Sequence, residues 1–181
     1  MIRPITRQVI LEGTGEWTPC YMFGISKRGF QCSMWLEIFD EVGGIGYVPY
    51  VENKPVGQMI FLPKEYARRI GFSTCRTNED LKKTMVIGCL FVVGEHANQG
   101  IASAMIEELI GFCREHGYAR IEAPVDPRPP DEAGINISFY PFRKFGFVLD
   151  EATIGWEFRL ETRMCFCDLS QASMDLLEGE R

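Results

Sequence analysis

The stretch from Met85 to Glu115 constrains the fold more than any other part of the chain. Met85 to Val93 is apolar with only Gly88 between, the pattern of a central strand covered on both faces. A membrane-spanning helix needs about 20 apolar residues, so this run is too short to be one. It ends in Gly94-Glu95-His96-Ala97-Asn98-Gln99-Gly100, and a helix follows directly. Ile101, Met105, Leu109, Phe112 and Cys113 make one apolar stripe, Glu107, Glu108, Arg114 and Glu115 lie off it, and Gly117 stands where a left-handed residue closes a helix. Tyr118 to Val125 reads as the next strand. Strand, tight loop, helix and strand together predict a right-handed crossover and a parallel strand pair.

The remaining segments place fewer constraints. Residues 1 to 28 combine a short strand or helix with an irregular loop rich in turn residues. Met34, Trp35, Ile38 and Phe39 recur at helical spacing between Phe30 and Val42, and Gly43-Gly44 ends that helix. Ile45 to Val51 and Pro55 to Leu62, joined by Glu52-Asn53-Lys54, read as a β-hairpin. Lys64 to Lys83 is polar and turn-rich. After a Pro-rich loop, Asn136 to Phe145 predicts a short helix, Gly146 to Leu149 the beginning of a strand, and Ile154 to Leu160 its partner. The tail from Ser170 is an exposed helix or a fraying end. With 181 residues and no repeat, all of this fits one domain.

Composition then removes whole classes of function. Lys and Arg number 19 against 25 Asp and Glu, a net charge of -6, so the footprint of a general nucleic-acid binder is missing. No basic segment followed by an apolar export signal begins at Met1, and no run can span a membrane, which predicts a cytoplasmic protein with reduced thiols. The seven Cys raise a redox or metal reading. Cys165-Phe166-Cys167 and the Cys20, Cys32 pair lack the spacing of a structural zinc site, so no metal is expected.

A helix N-terminus carries about four unpaired N–H groups and roughly half a positive charge, so the loop before Ile101 offers an anion site for which phosphate is the natural guest. Gly100 allows close backbone approach, and Ala102 and Ser103 are small; the alternative is that Gly100 only lets the chain turn. It is not a P-loop, because Ile101-Ala102 follows Gly100 where Lys and Ser/Thr are needed, and no G-x-G-x-x-G opens the helix. Residues Val86 to Glu122, with Tyr140-Pro141-Phe142-Arg143-Lys144-Phe145-Gly146-Phe147, resemble the GNAT superfamily of acetyl-CoA-dependent N-acetyltransferases. The resemblance spans roughly residues 45 to 160. It implies an α/β (α+β) fold: a mixed, mostly antiparallel sheet with a central parallel strand pair and flanking helices. It also implies that acetyl-CoA is the co-substrate, its pyrophosphate held by Asn98, Gln99, Gly100, Ile101, Ala102 and Ser103 and its pantetheine arm by the main chain of Leu90, Phe91, Val92 and Val93. The family loop, Arg/Gln-x-x-Gly-x-Gly/Ala, aligns with Ala97 to Ala102, and Ala97 departs from its opening residue.

The family's general acid is a Tyr four residues before the Gly of Gly146-Phe147; that position is Phe142 here, and Tyr140 is the substitute candidate. Glu122, in an otherwise apolar strand, is the candidate base if it is buried in the cleft; otherwise it faces solvent or pairs near Arg120. Cys89 reads as inert packing, and His96 is either a neutralising group beside the anion site or an idle loop residue. The resemblance thus implies transfer of an acetyl group to an amine of a small molecule or peptide, and leaves a homodimer open. The competing reading, a non-catalytic CoA-binding or regulatory domain, rests on Ala97 and Phe142.

Overall fold

The structure, a computed structural model, describes residues 1–12, 32–69, 71–76, 80–129, 137–157 and 160–169. Ile2–Pro4 (β1) and Arg7–Glu12 (α1) open the chain, and Cys32–Val42 (α2) is the helix its apolar spacing predicts. Gly46–Val51 (β2), Lys54–Pro55 (β3) and Gly57–Pro63 (β4) form the expected hairpin, with its second run broken at Val56, whose N–H turns back to Pro49 O at 2.9 Å. Glu52 and Asn53 both take positive φ, 49° and 62°, so the connection is a two-residue turn matched to the strand twist. The irregular loop of residues 13–31 and the tail from Ser170 lie outside the described residues.

Three sequence expectations are corrected. Lys64 to Lys83 does not read as loop throughout, because Lys64–Arg69 (α3) is helical, with Tyr66 and Ala67 buried and Lys64 paired inside the protein. Gly146 to Leu149 does not pair with Ile154 to Leu160. Val148–Glu157 (β7) is one strand whose register breaks between Asp150 and Ile154, and its partner is Leu160–Asp168 (β8). The helix near Pro141 shrinks to Tyr140–Arg143 (α5), Pro141 standing in its first turn, where a missing N–H costs nothing. Asn136, where that helix was expected to begin, is outside the described residues.

The central unit matches its expectation. Thr84–Val92 (β5), Ile101–Glu115 (α4) and Arg120–Val125 (β6) form the crossover, and Gly117 has φ 74°. Strand order is β1-β2-β4-β5-β6-β8-β7, with β3 on β2, and β5 with β6 is the parallel pair in an otherwise antiparallel sheet. Met105, Ile106, Leu109, Ile110 and Cys113 of α4 are buried against it, and every residue of β6 is buried.

What positions the site is that β5 and β6 stay together only briefly. Thr84, Met85 and Val86 pair with Arg120, Ile121 and Glu122, and beyond those three pairs the strands part. Two residues enforce the separation. Opposite β4, Ile60 faces Cys89 and Phe61 faces Ile87, so Gly88 is an extra residue, a bulge that bends β5. Just past β6, the N–H of Asp126 points away from β8, to Ile137 O at 2.7 Å; Pro124 of β6, two residues earlier, points the same way and has no N–H with which to continue the ladder.

Gly88 is packed from behind by Phe72, and a Cβ added at Gly88 would lie 2.5 Å from that ring. Gly88→Ala is therefore an overpacking substitution, expected to cost about 1–3 kcal/mol. Chemical denaturation checks it: a variant as stable as the parent would show that Phe72 swings away freely.

Candidate active site

Where β5 leaves β6, its backbone groups on that side lose their strand partner. Val93 donates its N–H to Val56 O at 2.8 Å, toward β4, so by alternation Leu90 and Val92 turn their N–H and C=O toward the space that β6 vacates. Their side chains also line a cleft of about 670 Å³ there. Phe91 and Val93, named with them from the sequence, present their main chain to β4 instead. Phe91 carries its ring on the other face of the sheet, 53% exposed.

The second wall is the start of α4. Gly100 is the N-cap, with φ 79° and no side chain to bond the first turn. Its left-handed conformation comes without strain in glycine and leaves open space where a Cβ would stand. Asn98, also left-handed at φ 61°, and Ile101, Ala102 and Ser103 line the cleft with it, so the uncapped N–H groups of the first turn are directed at the cavity. Gln99 turns to a neighbouring depression bounded by Tyr50 and Glu108. Among the described residues lining the main cleft, His96 alone has a side chain that can carry positive charge, and it lies 3.5 Å from Glu95. Attraction for an anion therefore comes chiefly from backbone N–H groups and the helix dipole.

The third wall is Ile137, Ser138, Tyr140 and Pro141. Tyr140 is 68% exposed at the start of α5, its N–H bonded to Ser138 Oγ at 3.2 Å. Phe142, the position of the family's usual acid, is fully buried against Phe147, ring centroids 5.0 Å apart, and belongs to the core. This wall is fixed by Asp126, which the sequence reading passed over. Its backbone bonds Ile137 and Phe139, and its buried carboxylate takes Arg128 Nε at 2.9 Å and Nη2 at 2.5 Å. An Asp ending an apolar strand two residues before an Arg was the available signal.

Glu122 is not in the cleft. Phe61 meets Phe112 of α4 at 5.2 Å, so Ile87 opposite it faces α4, while Val86 and its neighbour Glu122 face away. Glu122 is fully buried there; one carboxylate oxygen takes Lys64 Nζ at 2.7 Å and the other the Cys75 N–H at 2.9 Å, with Arg120 Nε at 3.3 Å. Both oxygens are engaged, and a proton acceptor for a substrate in the cleft is not what this geometry supplies.

Among the described residues no three His, Cys, Asp or Glu side chains gather as metal ligands, and no helix is long and apolar enough to cross a membrane. Cys165 and Cys167 point from one face of β8 into the core. Burial, seconded by Glu122, pushes the Cys75 thiol up to about 12, and burial raises those of Cys113, Cys165 and Cys167. Cys20 lies outside the described residues.

A mixed sheet opened beside an uncapped helix N-terminus makes a cleft for an extended, anionic ligand, and the protein's family makes it an acyltransferase. The chain belongs to the acetyltransferase (GNAT) family, whose sequence profile matches residues 16–147. No curated protein is similar enough in sequence to match. The fold is similar to that of yncA from Salmonella typhimurium, solved with its cofactor acetyl-CoA, at TM-score 0.61 and 14% identity, covering 94% of each chain. It is also similar to a GNAT-family acetyltransferase from Streptococcus pneumoniae, at 0.60 and 12% over 93% of this chain and 98% of that one. The ribosomal-protein-alanine N-acetyltransferase from Brucella melitensis gives 0.56 and 16% over 93% and 99%.

Two outcomes follow from this geometry. Titration with inorganic pyrophosphate shifts the backbone amide resonances of Ile101, Ala102 and Ser103 before others, and added salt weakens the effect; unmoved amides would remove the anion site. Because the Cys75 thiol loses its proton near pH 9 unfolded and near 12 folded, its contribution to stability is constant below about pH 9 and falls between 9 and 12, readable in urea midpoints.

Proposed function

We propose that the protein is an N-acetyltransferase that moves the acetyl group of acetyl-CoA to an amine of a small molecule or peptide. The observation that carries this reading is the continuity of the cleft, which runs from the uncapped N–H groups at Ile101 to Ser103 to the freed backbone of Leu90 and Val92. The first holds a diphosphate by charge and hydrogen bonds. The second gives an extended pantetheine arm the strand partner that β6 no longer supplies, by the same main-chain bonding that adds a strand to a sheet edge. The arm then lies along β5 with its thioester near the Gly88 bulge.

Holding both reactants there turns a bimolecular step into one of positioning. The neutral amine attacks the thioester carbonyl carbon, forming the C–N bond; negative charge develops on the carbonyl oxygen, where free strand N–H groups stabilise it. The C–S bond then breaks, the amine proton passes to water, and the thiolate takes a proton to leave as CoA. Tyr140 is the group on the cleft wall suited to give that proton, replacing the buried Phe142. With Glu122 engaged by Lys64 and Cys75, no carboxylate base is assigned.

The alternative, a CoA-binding domain without catalysis, is favoured by Phe142 standing in the acid's position. Thiol release separates the two readings. With acetyl-CoA and a panel of benzylamine, spermidine and a short peptide with a free N-terminus, transfer liberates CoA in proportion to amine acetylated. Acetyl-CoA binding without thiol release from any of them would support the regulatory reading instead. Within the catalytic reading, Tyr140→Phe lowers kcat by about 10²-fold, the low end for a general acid, and leaves the calorimetric Kd for acetyl-CoA within a factor of about two. An unchanged kcat would take the acid role from Tyr140.

A further inference from the structure

The Lys64–Glu122 pair is the most expensive feature of the interior that the transfer mechanism does not use. Both side chains are fully buried, 2.7 Å apart, and replacing such a pair with apolar residues is often neutral or better for stability. Its retention calls for a positional role, and the contacts around it supply one. The second oxygen of Glu122 holds the N–H of Cys75. Arg68 of α3, four residues along the helix from Lys64, bonds Thr74 Oγ1 and Cys75 O, each at 3.2 Å, and Phe72 N–H bonds Ala67 O at 2.9 Å. The segment 71–76 is therefore tied at both ends to α3 and, through Cys75, to β6. The side chain it carries inward is Phe72, lodged behind Gly88.

Gly88 is the bulge at which β5 turns from β6. The cleft that takes the thioester arm opens on the α4 face, and Phe72 lies against Gly88 from the side of α3, Cys75 and Glu122. We infer that Glu122 is a positioning residue of the transfer site: clamped by Lys64, it latches segment 71–76 through the Cys75 N–H and so seats Phe72 as the wall against which the acceptor amine is placed. Other charged groups near the pair fit a fixed latch. Arg120 lies 3.3 Å from Glu122, reaches Asp168 at 3.0 Å and stacks over Phe166 at 3.6 Å, and Asp150 acts on Cys75 from β7. The inference rests on the transferase reading given above and adds the residues that shape its acceptor side.

The test uses the amine of that panel with the highest kcat/KM. Lys64→Met combined with Glu122→Leu removes both charges together and leaves the Cys75 N–H without its acceptor. The expected result is an acceptor KM raised at least tenfold, an acetyl-CoA Kd within twofold of the parent, and amide exchange at Cys75 accelerated at least tenfold. Phe72→Ala raises the acceptor KM similarly, and combining it with the double substitution adds nothing further. Glu122→Gln retains the acid limb of the kcat/KM pH profile. An unchanged acceptor KM in either the double variant or Phe72→Ala overturns the latch, as does loss of the acid limb in Glu122→Gln, which would make Glu122 the base. Should the double variant not fold, Glu122→Asp, shorter by one methylene, is read by the same three measurements. If the parent binds acetyl-CoA and acetylates no amine of the panel, the transferase reading fails and this inference with it; if the parent is active and the variants match it, only the latch fails.

Discussion

The structure turns on a parallel strand pair that is stopped after three residues. A longer β5–β6 ladder would satisfy every backbone group and leave no cleft; a shorter one would not hold the crossover in place. The stop is made by chemistry on each strand: an extra glycine that bends β5, and a proline on β6 without the N–H that would extend the ladder. The freed groups of Leu90 and Val92 border a site instead of being buried unpaired, which a native interior tolerates poorly. Placing α4 so that its uncapped first turn meets the same space makes one continuous polar lining from otherwise apolar residues.

The two faces of the sheet divide the work. On the α4 face, the cleft offers main-chain groups and a helix dipole, with few charged side chains. On the other face, charged side chains are sunk in the core and used for geometry. Lys64 and Arg120 both hold Glu122, and a carboxylate so thoroughly bonded is fixed in place. Asp126 does similar duty at the far wall, where Arg128 fixes its carboxylate and its backbone fixes the segment carrying Ser138 and Tyr140. Both acids resemble catalytic candidates in a list of residues and behave as anchors in space.

The central crossover was legible in the sequence because its signals are local. Continuous apolarity marks a doubly covered strand, a 3.6-residue stripe marks α4, and Gly117 marks its end. The start of α4 was legible too, since a glycine before a helix is itself the feature. Other elements escaped for reasons of the same kind. Strand β8 runs polar from Glu161 to Arg163 and then apolar from Met164 to Cys167, without the alternation that marks a half-buried strand, and the thiols of Cys165 and Cys167 drew attention to metals when their burial on one face was the message. Helix α3 is a single short turn-and-a-half whose first residue, Lys64, is polar by composition and internal by pairing. Its partner Glu122 is 58 residues away, and no local pattern announces such a bond. For the same reason the distinction between Leu90 and Val92 on one side and Phe91 and Val93 on the other depends on which neighbour each residue faces.

This division explains how chains sharing 12–16% of their residues adopt one fold over more than nine-tenths of their length. A site made of strand N–H groups and a helix terminus asks little of side chains: a bulge, a residue tolerant of positive φ at the cap, and small residues after it. Many sequences meet those demands, so Ala97 can stand where the family pattern has Arg or Gln without removing the backbone donors beside it. The opposite holds for the face closed by Phe72. Its packing comes from particular side chains held by particular charges, so under the inferred latch substitutions there alter what fits on the acceptor side while the cleft on the α4 face and the fold remain.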